Sequence, residues 1–400
     1  MKILMVLESD FPPDDRVEKE AVSLIRQGHT VTIACYTFKM EPFELWHKGI
    51  RIIKKPISKF LYKSSVGALK FPFYFSFWAS FLDLLLKENS YDILHVHDLP
   101  LAKVGSGLKE KYGLILVLDL HENYPASLRT TTHTKKILGR ILHSDRQWRR
   151  YEQKYIKKAD LIIAVVEEMK ERIIKLGAEK EKVIVVENTP LTDEFPVTAQ
   201  SPSADYITLF YAGGINIYRG LQIVVKALSI MIKEISNIRL WIIGKGSYES
   251  KLRALIHQLN LDKHVTFFGW KNLGDITSLL SRSDIALIPH LKSEQTDCSS
   301  PNKIFQYAYA NKPTVCSNCN SLERLIREWN NGVIYKHDSP EDLSEKLLNL
   351  IKSGDYKLLG KNGKENIINR YNWNISVLPL LQAYKNLASG NENNSVNKNK

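Results

Sequence analysis

The sequence predicts a doubly wound α/β protein built as two successive halves. Three observations carry this prediction. Short apolar, β-branched runs alternate with amphipathic helical stretches through the first 186 residues; the alternation is lost between Glu187 and Ser203, where Pro, Thr and Ser gather; and it resumes from residue 207 with different residues. At 400 residues, each half is long enough to bury its own core.

In the first half the runs at 2–7, 30–35, 93–96, 114–119, 161–165 and 183–186 read as buried strands bounded by turn residues. Helical periodicity at 17–27, 73–88, 101–111, 134–158 and 167–176 separates most of them. The second half repeats the scheme with strands near 207–212, 239–243, 265–268, 284–288, 313–316 and 332–335. The expected division is a first domain at 1–188, a linker at 189–204 and a second domain at 205–372, followed by a helix at 373–388 returning to the first domain. Residues 389–400, rich in Asn, Lys and Ser, are expected to lack order. Two facing sheets of this kind place ligands at a cleft beside the C-terminal ends of their strands.

The net charge of +13 is concentrated in two segments, 129–158 with a net +8 and 39–70 with a net +6. Such concentration points to an anionic partner, and a membrane surface is preferred because no nucleic-acid reader motif accompanies it. Ile137, Leu138, Ile141, Leu142 and Trp148, beside Lys135, Lys136, Arg140, Arg149 and Arg150, fit a helix lying on an anionic bilayer or, equally, a solvated helix. The aromatic residues Phe71, Phe73, Tyr74, Phe75, Phe77 and Trp78 read first as core and second as a lipid-dipping patch. The run 71–86 is interrupted by Pro72 and Asp83 and is too short to span a bilayer. With four cysteines, no disulfide framework and no secretory signal pattern, a cytoplasmic protein is expected, peripheral on the inner face of the membrane. Cys316 and Cys319 lack the second pair that a zinc site needs.

The most informative stretch is Ser299-Ser300-Pro301-Asn302-Lys303-Ile304-Phe305-Gln306-Tyr307. Serine before proline suits an N-cap followed by N1, leaving backbone N–H groups and the positive dipole end aimed outward, with Lys303 adding a full charge. A phosphate is the natural guest. Gly213 and Gly214 follow a strand and permit close backbone approach, and Arg219 offers a bidentate fork.

These residues, with Leu240-Trp-Ile-Ile-Gly244-Lys245-Gly246, Val265-Thr-Phe-Phe-Gly269-Trp270 and the 283–289 strand, closely resemble the donor domain of glycosyltransferase family 4. The first half resembles the same family in Asp14-Asp15-Arg16-Val17, Gly28-His29, His95-Val-His97-Asp98 and Asp119-Leu-His121-Glu122. The resemblance implies a GT-B fold and transfer of a sugar from a nucleotide sugar with retention at the anomeric carbon. It implies no metal: Arg219, Lys303 and the helix start stabilise the leaving diphosphate, and the departing phosphate oxygen takes the acceptor's proton. His121 matches the histidine that lines the sugar site. Gly213, Gly214, Lys245, Trp270 and Asp297 through Asn302 fall on the donor side with Gln306, whereas Asp15, Arg16, Asp98 and Glu122 fall on the acceptor side.

The chain departs from the family's Glu-x7-Glu donor motif. Gln306 stands at the second position and Cys298 at the first, so Asp297 or Glu294 is expected to serve the sugar hydroxyls. The preferred reading is a hexosyltransferase acting on a glycan or lipid-linked acceptor in surface polysaccharide synthesis. A weakly active partner subunit and a nucleotide-sugar epimerase of similar fold are the alternatives. The alternate positions His95 and His97 share a strand face, which favours packing with hydrogen bonds over metal binding.

Overall fold

The computed structural model describes residues 1–129, 144–192 and 201–398. The chain forms two compact units, Met1–Glu187 with Val377–Lys400, and Asn188–Ser376.

Unit 1 holds an eight-stranded sheet in the order β3-β4-β2-β1-β5-β6-β7-β8. Its strands are β1 (Lys2–Leu7), β2 (Thr30–Thr37), β3 (Phe43–His47), β4 (Ile50–Pro56), β5 (Ile93–His97), β6 (Ile115–Leu120), β7 (Leu161–Ala164) and β8 (Val183–Val185). All pairings are parallel except β3 with β4. The central strands are buried almost throughout, as sheets covered on both faces require. Helices α1 (Asp15–Arg26), α2 (Lys59–Ser64), α3 (Phe73–Glu88), α4 (Ala102–Tyr112) and α5 (Asp145–Ile156) belong to this unit. Asp14 caps α1 by accepting from the Val17 N–H at 3.1 Å. α4 packs so closely that a Cβ on Gly105 would lie 2.9 Å from Leu116 and 3.0 Å from Val96.

Periodicity did not identify β3 and β4. Lys48 and Gly49 both take positive φ, the two-residue turn that favours a tight hairpin, and Ile50, Ile52 and Lys54 are buried while Arg51 and Ile53 between them are half-buried. Lys48, Arg51, Lys54 and Lys55 of the basic 39–70 segment belong to this edge hairpin, and Lys59 and Lys63 to α2.

Unit 2 holds a six-stranded, wholly parallel sheet in the order β11-β10-β9-β12-β13-β14. These are β9 (Ile207–Ala212), β10 (Ile238–Ile243), β11 (Val265–Gly269), β12 (Ile285–Ile288), β13 (Thr314–Ser317) and β14 (Gly332–Tyr335). Alternate residues feed two apolar clusters: Leu209, Tyr211, Leu240 and Ile242 on one face, Phe210, Trp241, Ile243 and Ile288 on the other. Helices α6 (Leu221–Met231), α7 (Lys303–Tyr309) and α8 (Asn320–Trp329) flank the site described below.

The last helix, α9 (Leu378–Lys398), groups with unit 1. Its Tyr384 is fully buried, and its hydroxyl shares a hydrogen bond with His95 Nδ1 at 2.7 Å. The backbone is helical well into 389–398, where composition led us to expect disorder. That stretch contains no proline, and helix propagation from the anchored 378–388 turns costs little per residue.

In both sheets the strand order reverses beside the first strand: β1 lies between β2 and β5, and β9 between β10 and β12. Ligands of doubly wound sheets bind outside the strand C-termini at such points. The residues that follow these strands are Glu8, Asp98, Gly213 and Pro289-His290.

Candidate active site

In unit 2, three basic side chains converge beyond β9 and β12. The chain leaves β9 through Gly213, at φ +147°, and a Cβ there would sit 2.6 Å from Lys303 Nζ. Glycine is therefore what lets the lysine reach the turn. Lys303 opens α7, and its ammonium lies 4.1 Å from the Tyr211 ring centroid. Tyr307 of the same helix accepts from the Ala212 N–H at 3.0 Å and ties helix to strand. Arg219 ends a 3-10 turn, and the following Gly220, at φ +73°, packs on Pro289, whose carbonyl oxygen would be 1.6 Å from a Cβ. Arg219 Nη1 donates to His290 Nε2 at 2.8 Å.

This basic centre is short of counter-charge. Arg219 Nε, Lys303 Nζ and Ser300 Oγ are shielded from solvent and make no hydrogen bond among the described residues. The stem of Lys303 is partly accessible, but its nitrogen is not. Burial, with the nearby Arg219 charge, drives the Lys303 pKa well below its ordinary value. Burial, Arg219 and Lys303 do the same to His290. An anion arriving here would find hydrogen-bond donors already desolvated and oriented, the arrangement that stabilises developing negative charge.

The helix start differs from the expectation. Ser300 is not an N-cap: the helix begins at Lys303, the cap position is Asn302 without a side-chain cap bond, and Pro301 lies in the preceding turn. Asn302 Oδ1 instead accepts from Asn188 Nδ2 at 3.1 Å. The anion-binding character of the stretch rests on Lys303 rather than on a capped N1.

Asp297 also has a structural partner. Its Oδ1 accepts from the Asn320 N–H at 2.9 Å, at the start of α8, and lies 3.5 Å from Lys292 Nζ, so one of its oxygens is engaged within unit 2. Cys298 is buried in a 3-10 turn, Ser299 Oγ donates to the Gln295 carbonyl at 3.0 Å, and Gln306 is half-buried on α7. Lys245 and Trp270 are exposed on the loops after β10 and β11, at the same sheet edge. Glu294 is exposed in the loop before the 3-10 turn.

Sequence reasoning missed His290. Its signal was position, two residues beyond the end of β12 and on the ligand edge.

In unit 1, Asp119 of β6 organises a buried network. Its carboxylate accepts from Arg16 Nη2 at 2.9 Å and Nε at 3.2 Å, and from the His121 and His97 rings at 2.8 and 3.2 Å. Arg16 also meets Glu20 at 2.9 Å and donates to the Val186 carbonyl at 2.8 Å. Arg16 is thus the buried ion-pair centre of the unit rather than an acceptor contact. The pattern Asp-Arg-Val placed it beside a ligand, but helix α1 turns it inward onto β6. Asp15 is exposed in the first turn of α1, and Glu122 is half-buried one residue after His121.

Burial alone would lower the His121 pKa, but the Asp119 and Asp98 carboxylates outweigh it and raise it to about 9. Burial would raise Asp119, and Arg16 with His121 overcome it and hold Asp119 well below the usual carboxylate range. Asp98, at φ +66°, bends the chain after β5 and brings its carboxylate 3.7 Å from His121 Nδ1. The His95 and His97 rings stack at 4.4 Å.

Ligand atoms of Glu20, His95, His97 and Asp119 all lie within 4.8 Å of one another. Both Asp119 oxygens already serve Arg16 and two imidazoles, and Arg16 supplies the positive charge, so we read this cluster as an ion-paired hydrogen-bond network. Glu8, also missed, ends the β1 edge; burial pushes its carboxyl up to about 8 despite a hydrogen bond from Tyr74 at 2.5 Å.

The membrane stripe is only partly described. Lys135, Lys136, Ile137, Leu138, Arg140, Ile141 and Leu142 lie outside the described residues. Trp148 is not lipid-facing: it is buried against Tyr124 and Tyr151. Arg149 pairs with Asp145 at 2.9 Å. The aromatic run divides, with Tyr74, Phe75 and Trp78 in the core, and Phe71 and Phe73 about half exposed.

A family model described as Glycosyl transferases group 1 matches residues 197–366, and one described as Glycosyltransferase Family 4 matches residues 17–189. The chain is 21% identical to an uncharacterized glycosyltransferase of Methanocaldococcus jannaschii, over 91% of this chain and 92% of that one. Sucrose-phosphate synthase from Thermosynechococcus elongatus has a similar structure, with a TM-score of 0.78 at 15% identity, covering 97% of this chain and 99% of that one. Anabaena HepE in complex with UDP gives a TM-score of 0.70 at 16% identity over 97% and 100% of the two chains.

Proposed function

Because the chain belongs to glycosyltransferase family 4 and has its GT-B fold, we propose that it moves a hexose from a nucleotide diphosphate sugar, with retention, to a lipid-linked or glycan acceptor in surface polysaccharide synthesis. The observation that carries this reading is the Arg219, His290 and Lys303 centre beside Gly213, where buried donors pair with no carboxylate among the described residues. A diphosphate supplies the missing charge, and more of it as the glycosidic bond breaks, so these groups act most strongly on the transition state. Fixed cations and oriented donors then do the work that a divalent ion does elsewhere. The departing phosphate oxygen takes the acceptor's proton. In this reading His121, which Asp119 and Asp98 favour as a cation, is the group that unit 1 contributes to sugar transfer.

The surface of unit 1 supports a lipid-linked acceptor. Phe60, Phe71 and Phe73 are exposed at 75%, 47% and 53%, in a stretch that also carries Lys59, Lys63 and Lys70. Aromatic rings with interspersed lysines suit an anionic membrane, each lysine contributing about 1 kcal/mol near the surface. Peripheral attachment there would bring the enzyme to lipid-linked acceptors. No described helix is long and apolar enough to cross a membrane.

A second reading, a binding-only family member serving a partner, is favoured by Cys298 and Gln306 in place of carboxylates and by the commitment of Asp297 to α8. A thermal-shift panel of UDP- and GDP-sugars followed by a turnover assay separates the two. The transferase reading expects a raised midpoint and release of nucleoside diphosphate with the anomeric configuration kept. A raised midpoint without turnover gives the second reading, and no shift with any nucleotide sugar overturns both.

A further inference from the structure

Unit 1 carries a second concavity that the sugar-transfer site leaves unused. A cavity of about 680 Å³ runs between α3 and α4, and one of about 290 Å³ adjoins it beside α5. Phe75, Leu69, Val104 and Leu108 give it an apolar floor, and small residues, among them Ala79 and Gly107, leave it open to solvent. Its rim is basic: Lys70 and Lys103 on one side, Arg150 and Lys154 on the other. Among the described lining residues the one carboxylate is Asp83, held by Lys87 at 2.9 Å and Lys111 at 2.5 Å at the far end.

The groove is tied to the ligand edge of the sheet. Helices α3 and α4 lead into and out of β5. In a parallel sheet such crossover helices run back along the strands and therefore begin at the strand C-termini. Phe75 follows Tyr74, whose hydroxyl binds Glu8 at the end of β1. Phase by phase, an aromatic wall continues from Phe75 to Tyr151 (6.1 Å), Trp148 (5.1 Å) and Tyr124 (4.9 Å), three residues after His121. The Tyr151 hydroxyl accepts from the Lys103 N–H at 2.9 Å and donates to the Pro100 carbonyl, two residues past Asp98. The cationic mouth thus opens beside the residues assigned to the acceptor, and the apolar channel leads away from them.

We propose that this groove holds the hydrocarbon chain of the acceptor, an isoprenyl or acyl lipid ending in a phosphate, with the phosphate on Lys103 and its basic neighbours. The assignment rests on the transferase reading and names its acceptor subsite. Charge complementarity selects the occupant: an uncharged chain leaves the rim unused, and inorganic phosphate leaves the floor unused. The volume lies in the range of sites that enclose small-molecule ligands.

Farnesyl phosphate, farnesol and inorganic phosphate, each titrated calorimetrically into the full chain without detergent, test the proposal. Wild type is expected to bind farnesyl phosphate at least about tenfold more tightly than either of the others, about 1.4 kcal/mol. Gly107→Trp blocks the channel at an exposed helical position where a Cβ meets nothing within 4 Å, and it gains helix propensity. Lys103→Glu reverses the mouth. Each variant should lose about tenfold in farnesyl phosphate affinity while its thermal shift with UDP or GDP is unchanged, which also shows that it is folded. Wild type that binds no farnesyl phosphate, variants that bind it as wild type does, or capture of an acidic amphipathic peptide in place of the lipid would overturn the assignment. Nucleotide-sugar turnover without lipid binding sinks the groove alone. Lipid binding by a chain that binds no nucleotide sugar sinks the transferase reading alone.

Discussion

Lys303→Met tests the basic centre more sharply than any other change. The side chain keeps its length and loses its charge, so the helix start and the Tyr211 contact surface stay filled. Two effects of opposite sign should follow. Diphosphate binding loses one charged hydrogen bond, about 1.5–3 kcal/mol, which is about a 10- to 150-fold weaker Kd. Stability moves the other way. In the folded protein the Lys303 pKa lies well below its unfolded value of about 10.4, because burial and Arg219 oppose its charge. Folding therefore disfavours the protonated form, a cost that shrinks as pH climbs toward the unfolded pKa. The variant carries no such cost, though it forgoes a cation–π contact at 4.1 Å worth about 0.5–2 kcal/mol. The expected melting temperature is equal to or above that of wild type. Binding a diphosphate should favour the protonated form of Lys303, so wild-type affinity weakens as pH rises, and the variant loses that share of the dependence. An affinity within twofold of wild type refutes the reasoning. So does a melting temperature lowered by more than about 4 °C, which for a unit of this size is about 1 kcal/mol or more.

Three further outcomes are expected. Asp119→Asn breaks the buried pair with Arg16 and should cost about 3–5 kcal/mol in urea unfolding; a loss below about 1 kcal/mol would remove Asp119 from the centre of unit 1. His121 is raised to about 9, so its contribution to stability is complete below the unfolded value of about 6.5 and fades as pH passes 9; kcat/KM should fall over the same upper limb, and a His121→Gln variant that retains an unaltered alkaline limb would assign that limb elsewhere. EDTA should leave turnover nearly unchanged, and activity restored by Mg²⁺ or Mn²⁺ would end the metal-independent reading.

Much of the fold could be read because strands buried on both faces are continuous apolar runs, as at 93–96 and 285–288, and these stand out from helical periodicity. The edge hairpin could not, since one of its faces meets water and its lysines read as a charged segment. In the site, Gly213, Arg219 and Lys303 announced themselves through turn and helix-start chemistry. His290 did not, because a single histidine after a strand has no local pattern, and its importance comes from Arg219 reaching it across 71 residues. Arg16 misled for the complementary reason. Its neighbours matched a ligand motif, while its partners Asp119 and Val186 are 103 and 170 residues away and only tertiary structure reveals that it is spoken for. The contact of Asp297 with the start of α8 was hidden in the same manner, as it spans 23 residues.

The bond from Tyr384 to His95 bears on how the chain is made. Unit 1 is interrupted: its main part ends at Glu187 and its closing helix starts at Val377, with all of Asn188–Ser376 in between. On a ribosome adding about 5–20 residues per second, the stretch that seals His95 emerges about 10–40 s after the sheet it completes. Throughout that interval the nascent sheet presents an uncovered imidazole and the apolar seat of Leu380 and Tyr384, a natural window for chaperone engagement. Joining residue 187 directly to residue 377 would abolish the delay, giving a contiguous version of the first unit whose folding no longer waits on the second.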